Sequence, residues 1–208
     1  MKRHPALLPM IFDPKTITPG DFYRFMISVV VPRPIAFVST MNAAGQLNVA
    51  PFSYYNAITN EPPLIGISVN RRRGELKDTL RNIEQTGEFV VNTVDEALGA
   101  RMVHTSGEWP EDVDEFKLTG LTPVASDRVR PPRVGESPVS MECRSYEVIE
   151  LGNTHFVVGE ILVAHVKDEV LTDGRVDITK LKPLGRLGGD GYSVVRDVVH
   201  MPRPRVAR

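Results

Sequence analysis

The sequence contains one cysteine, Cys143, and one tryptophan among 208 residues. A single thiol cannot close an internal disulfide, so nothing points to an oxidising compartment. It cannot form a Cys-x-x-Cys site, and no neighbouring base marks it as a nucleophile. A buried structural thiol is expected. Neither sign of charge is in excess: 25 Lys+Arg against 26 Asp+Glu leave a formal net charge of −1. That balance argues against a nucleic-acid partner held by phosphate neutralisation, but leaves room for a local basic patch around a small anion. No apolar run reaches the length of a membrane span. The start, Met1 to Pro9, has the charge and short apolar stretch of a leader, but two prolines and Asp13 interrupt it too early. A cytoplasmic protein with no membrane association is expected. The zinc helix His-Glu-x-x-His, the phosphate loop and the Gly-x-Ser-x-Gly elbow are all missing. The cluster Gly185-Arg186-Leu187-Gly188-Gly189-Asp190-Gly191 follows Lys182-Pro183 rather than a strand, and lacks dinucleotide-loop spacing.

Seventeen prolines and sixteen glycines punctuate short runs rich in β-branched residues. Strands are predicted over residues 34–40, 47–53, 64–70, 88–92, 139–151 and 155–166. Turn residues at 42–46 and at Gly152-Asn153 make two of these pairs hairpins. A helix is predicted over 75–86, with Leu76, Leu80 and Ile83 on one face and Gly87 as its C-terminal cap. Further helices are predicted over 95–105 and 18–28, and a loop over 122–137. The pattern predicts a mainly β protein with inserted helices, an antiparallel barrel rather than a doubly wound sheet. One domain over 1–208 is expected, with a C-terminal extension from about residue 182.

Three segments carry polar chemistry. In Asn48-Val49-Ala50-Pro51-Phe52-Ser53-Tyr54-Tyr55-Asn56, Ser53 and Asn56 join the backbone beside Ala50 and Pro51. They suit the edge of an uncharged planar ligand, or equally a strand end bonded to its own turn. In Asn70-Arg71-Arg72-Arg73-Gly74-Glu75-Leu76-Lys77-Asp78-Thr79, cations lead into a helix start. Arg71, Arg73, Lys77 and Thr79 there suit a phosphate, or form a solvated basic turn. Arg33 lies between Pro32 and Pro34, which hold the chain extended. Its guanidinium points either at a ligand or at a carboxylate of the fold.

The run Val31-Pro32-Arg33-Pro34-Ile35-Ala36-Phe37-Val38-Ser39-Thr40, followed by Asn48-Val49-Ala50-Pro51-Phe52-Ser53, resembles the flavin reductase-like, FMN-binding split-barrel family. The resemblance continues through Lys77-Asp78-Thr79, Gly87-Glu88-Phe89-Val90-Val91-Asn92 and Val158-Gly159-Glu160-Ile161. It ends in Gly188-Gly189-Asp190-Gly191-Tyr192, as in the flavoredoxin-like branch. It implies a homodimer of antiparallel Greek-key split β-barrels, with FMN in a groove at or near the subunit interface. Carried over residue by residue, it puts Lys77 and Thr79 near the FMN phosphate. Ser39 and Thr40 fall near the ribityl chain or ring; Asn48, Ala50, Pro51 and Ser53 line the ring. Asn56 contributes from the following loop, and Tyr192 covers the ring or the nicotinamide site. Arg71 and Arg73 join on charge alone.

One departure matters. Some relatives carry Gly-Asp-His where this chain has Gly152-Asn153-Thr154-His155. Thr154 takes the flavin-side position, because a one-residue step turns a strand side chain to the other face. The implied activity is reduction of flavin by NADH or NADPH through hydride transfer to N5. The cofactor does the redox chemistry, so no catalytic side chain is needed. The alternative is a non-catalytic FMN-binding electron carrier. A monooxygenase or another acceptor is the implied partner.

Overall fold

The computed structural model describes residues 10–110 and 113–204. The leader-like run Met1 to Pro9 lies outside the described residues. Helix α1 (Pro19–Val29) starts on Thr18, whose hydroxyl accepts the Asp21 N–H at 3.1 Å. Pro19 supplies the preset φ of a first helical turn. Strands β1 (Arg33–Pro34), β2 (Ala36–Met41), β3 (Leu47–Phe52), β4 (Tyr55–Asn60) and β5 (Pro63–Asn70) follow. Then come α2 (Asp78–Thr86), β6 (Glu88–Thr93), α3 (Gly99–Thr105) and α4 (Glu115–Thr119). A small hairpin of β7 (Pro123–Val124) and β8 (Arg133–Val134) precedes the long pair β9 (Val139–Leu151) and β10 (Thr154–Val166). The chain closes with β11 (Leu171–Thr172), β12 (Arg175–Val176), α5 (Ile178–Leu181), β13 (Leu184–Arg186) and β14 (Tyr192–Val194).

Seven antiparallel strands form one sheet in the order β3-β2-β6-β9-β10-β5-β4. Its edges, β3 and β4, are consecutive in the chain yet do not pair with each other. The sheet curls until β3 lies against β5, leaving a seam at Ser53 and Tyr54. Alternation along β2 divides the interior. Ala36 and Val38 face a core of Ile65, Ile67, Val69, Phe89, Val91, Cys143 and Val157, which α2 covers with Leu80 and Ile83. Phe37 faces the other side, with Val49, Val94, Leu98, Met102, Phe116 and Leu121 beneath α3 and α4. Cys143 is fully buried, and burial raises its thiol pKa, as suits a structural residue. Gly159 is needed where β10 passes Phe89: a Cβ there would sit 2.3 Å from the ring.

A buried polar knot fixes the 125–134 segment to the sheet. Glu142 on β9 is fully buried and accepts the N–H groups of Asp127 and Arg128 at 2.8 and 2.6 Å. His165 on β10 lies 2.7 Å from the same carboxylate. Burial pushes the Glu142 pKa up, but these donors outweigh it and hold the group below its ordinary value.

Several elements differ from expectation. α2 begins at Asp78 instead of 75, because Arg72 and Glu75 close a two-residue hairpin through paired bonds of 2.8 and 2.9 Å. Its central residues, Arg73 and Gly74, have φ of +51° and +88°, the signature of a primed turn. The helix expected over 95–105 starts only at Gly99; Asp95 accepts the Leu98 N–H and holds a turn there. The loop over 122–137 contains β7–β8, and β4 extends the sheet where no strand was expected. The segment after residue 182 is integrated: β13 pairs with both β1 and β14. No helix among the described residues is long and apolar enough to cross a membrane.

Candidate functional site

Two cavities of about 400 and 390 Å³ adjoin across the end of β3 and the start of α2. They share Pro51, Phe52, Asn70, Lys77 and Ser106. Together they form a groove with one cationic end and one largely neutral end.

The cationic end is built on α2. Lys77 is its N-cap residue, held extended at φ −71° and ψ 152°. Its ammonium lies 5.3 Å from the centre of the Phe52 ring and has no carboxylate partner among the described residues. Burial, then repulsion from Arg72, lowers its pKa. An anion would relieve both penalties. The Leu80 and Arg81 N–H groups bond back to the Lys77 carbonyl, whereas those of Asp78 and Thr79 have no partner among the described residues. A helix start of this kind favours negative charge. Arg71 and Arg72 line the same cavity. Arg73 does not: the primed turn carries it out to Glu108, 2.8 Å away. Arg71 pairs with Glu150 at 2.9 Å and Arg72 lies 3.7 Å from Glu108.

Asn48, Ala50 and Thr79 form a wall of this cavity. The Asn48 amide donates to the Thr79 hydroxyl at 3.0 Å and the Thr40 hydroxyl at 3.3 Å; Asn82 donates to Thr40 at 3.0 Å. Thr40 is fully buried in this knot, which locks α2 onto β2 and β3. Ser39, on the opposite face of β2, is equally buried and donates to the Pro132 carbonyl at 2.6 Å. Neither Ser39 nor Thr40 lines the groove.

The neutral end is lined by Pro51, Phe52, Ser53, Tyr54, Ser68 and Asn70, with Tyr192 and Arg186 from the C-terminal hairpin and Tyr23 from α1. The Arg186 guanidinium stacks 4.5 Å from the Tyr192 ring centre. Burial raises the Tyr54 pKa, so its phenol stays neutral. Among the described residues, Arg33 faces neither a ligand cavity nor a carboxylate. It is buried and donates to the carbonyls of Ile27, Val30 and Leu187 at 2.9, 2.8 and 3.0 Å. Its Nε reaches the Ser53 hydroxyl at 3.4 Å, so it positions a groove residue. Asn56 is exposed on β4 opposite Gly66, outside both cavities.

The β10 register separates Thr154 from His155. Thr154 pairs with Asn70 and shares the sheet face of Asn70 and Ser68; His155 pairs with Val69 on the core side. The Thr154 hydroxyl and His155 Nδ1 are both buried without a hydrogen-bond partner among the described residues. Sequence reasoning missed Phe52, Tyr54, Ser68, Asn70, Arg72, Trp109 and Arg186. Alternation back from Asn70 would have found Ser68, and the turn geometry at Arg73-Gly74 would have favoured Arg72 over Arg73. The glycine cluster over 185–191 is a hairpin loop, with the Leu187 N–H bonded to the Gly191 carbonyl at 3.0 Å.

The family model of the flavin reductase like domain matches residues 28–182. Component B of nitrilotriacetate monooxygenase from Bacillus cereus is 34% identical, with a TM-score of 0.90 over 93% of this chain and 99% of that one. A split-barrel protein of the flavin reductase type from Shewanella frigidimarina is 27% identical, with a TM-score of 0.83 over 94% and 100%. The flavoredoxin of Desulfovibrio vulgaris is 26% identical, with a TM-score of 0.74 over 83% and 91%. The open-seamed sheet is the split barrel of these proteins, and the chain belongs to the flavin reductase like domain family.

Proposed function

We propose that the chain binds FMN along the paired cavities and reduces it with NADH or NADPH. The observation that carries this reading is Lys77, a half-buried cation without a carboxylate partner among the described residues, at the junction of the two cavities. The donor set fits FMN: Lys77, Arg72 and the free N–H groups of α2 suit its phosphate. The Ala50–Ser53 backbone, the Ser53 hydroxyl and Asn70 suit the polar edge of its ring, with Phe52 and Tyr192 as apolar walls. When bound, the flavin would supply the redox chemistry, as the acceptor of hydride from the nicotinamide. The chain's own part is to bind, orient and shield. The Bacillus cereus neighbour, a monooxygenase component, supports a monooxygenase or other acceptor as the next partner.

The flavoredoxin neighbour favours a second reading, in which FMN stays bound and carries electrons without nicotinamide turnover. Anaerobic addition of NADH or NADPH to the flavin-loaded protein separates the two. The first reading expects rapid bleaching of the flavin band near ~450 nm. Bound FMN that neither donor bleaches would leave the carrier. We also read the chain as a homodimer, on the resemblance and on the exposed apolar Met26, Val29, Val30 and Val31 at the end of α1. Light scattering should give twice the chain mass, and a single-chain mass would refute the dimer.

A further inference from the structure

A carboxyl group also opens onto the phosphate cavity. Glu115, the first residue of α4, is buried and lines the cavity with Asn48, Lys77, Asp78 and Thr79. Its Oε2 accepts the Val49 N–H at 3.2 Å, and its own backbone N–H also donates to the carboxylate. A permanent carboxylate would repel the phosphate that Lys77 is suited to hold. We propose that Glu115 is a proton-dependent phosphate-binding residue: as the neutral acid it donates a hydrogen bond to a phosphate oxygen, and as the carboxylate it repels that phosphate. The inference rests on the FMN reading above and names a control on the same site.

The surrounding charges fit this role. Asp78 from α2 and Asp114 beside α4 are both negative. Asp78 is paired with Arg81, and Asp114 pairs with the exposed Lys117 at 3.3 Å. Lys77, Arg71 and Arg72 are the positive groups of the cavity, and Glu108 stands at its rim beside Arg72. Burial raises the Glu115 pKa to about 7; its own backbone N–H and that of Val49 oppose the rise, while Asp78 and Asp114 add to it. The carboxyl therefore changes charge near neutrality.

FMN and riboflavin titrations across roughly pH 6 to 8.5 test the proposal. Each FMN bound above the Glu115 pKa takes up one proton, so FMN affinity should fall by at least tenfold over that range. Riboflavin, lacking the phosphate, should stay within about twofold. The phosphate's own second ionisation, near ~6, works in the opposite direction by strengthening its attraction to Lys77. Glu115→Gln should remove the slope and bind FMN at high pH as tightly as the wild type does at low pH. Calorimetry of the wild type in buffers of different ionisation heat should show proton uptake at high pH. A wild-type FMN affinity independent of pH would overturn the proposal without any variant. A slope that persists in Glu115→Gln would assign it to Lys77 and overturn it too. Failure of both flavins to bind at any pH would instead defeat the FMN reading.

Discussion

Lys77→Ala is expected to weaken FMN binding by roughly ten- to a hundredfold while leaving riboflavin within about twofold. Hydrogen bonds to a charged partner contribute about 1.5–3 kcal/mol, and only FMN offers the phosphate. Lys77 is the right single residue because its ammonium has no competing carboxylate in the described structure. Thr79 is a poorer probe, since its hydroxyl accepts the Asn48 amide at 3.0 Å and its loss would loosen α2. The ligand-free variant should be no less stable than the wild type. Burial and Arg72 lower the folded pKa of Lys77, so its charged form costs stability at every pH below that value. The cost fades as pH rises from the lowered value toward the ordinary 10.5. Parallel fluorescence titrations with both flavins check the prediction. Equal losses for the two would place the phosphate elsewhere.

Glu142→Ala should destabilise the protein by about 2–4 kcal/mol, because it removes the buried acceptor of two backbone N–H groups. The N–H groups of Asp127 and Arg128 would lose their acceptor, and His165 its partner. A fall in melting temperature on the order of 10 °C is expected for a chain of this size. The folded pKa of Glu142 lies below the ordinary 4.5. Its contribution is therefore fully present above that ordinary value and is lost as pH falls through the folded one. Thermal melts at neutral and acid pH should show the variant's deficit shrinking in acid. A neutral-pH melt within about 1 °C of the wild type would show that the knot is dispensable.

The sheet was legible where strands are long and apolar. β2, β5, β6, β9 and β10 all lie where β-branched alternation put them. β4 was not, because Tyr55–Asn60 is mostly exposed and polar, and its role comes from pairing with β5. β13 escaped because glycine and arginine carry no periodic signal; its partner β1 lies far away in sequence. At the site, Lys77 was legible from charge beside a helix start. Ser39 and Thr40 were read toward a ligand, yet strand packing turns both inward, where hydroxyls are consumed by Pro132, Asn48 and Asn82. Glu115 was invisible because a five-residue helix offers no period, and only the tertiary fold brings it to Lys77.

Arg33 has a consequence for how the two ends of the groove come into being. The cationic end is drawn from residues between Asn48 and Glu115. The neutral end needs the C-terminal hairpin, tied down in part by Arg33 bonding a carbonyl 154 positions away. Closing so large a loop costs more chain entropy than closing a short one, by about 0.6 kcal/mol per doubling of length. One guanidinium thus joins the first and last parts of the chain across the neutral end of the groove. The cationic end spans residues 48–115 and the neutral end residues 23–192, so loss of the C-terminal hairpin would take Arg186 and Tyr192 from the second and spare the first.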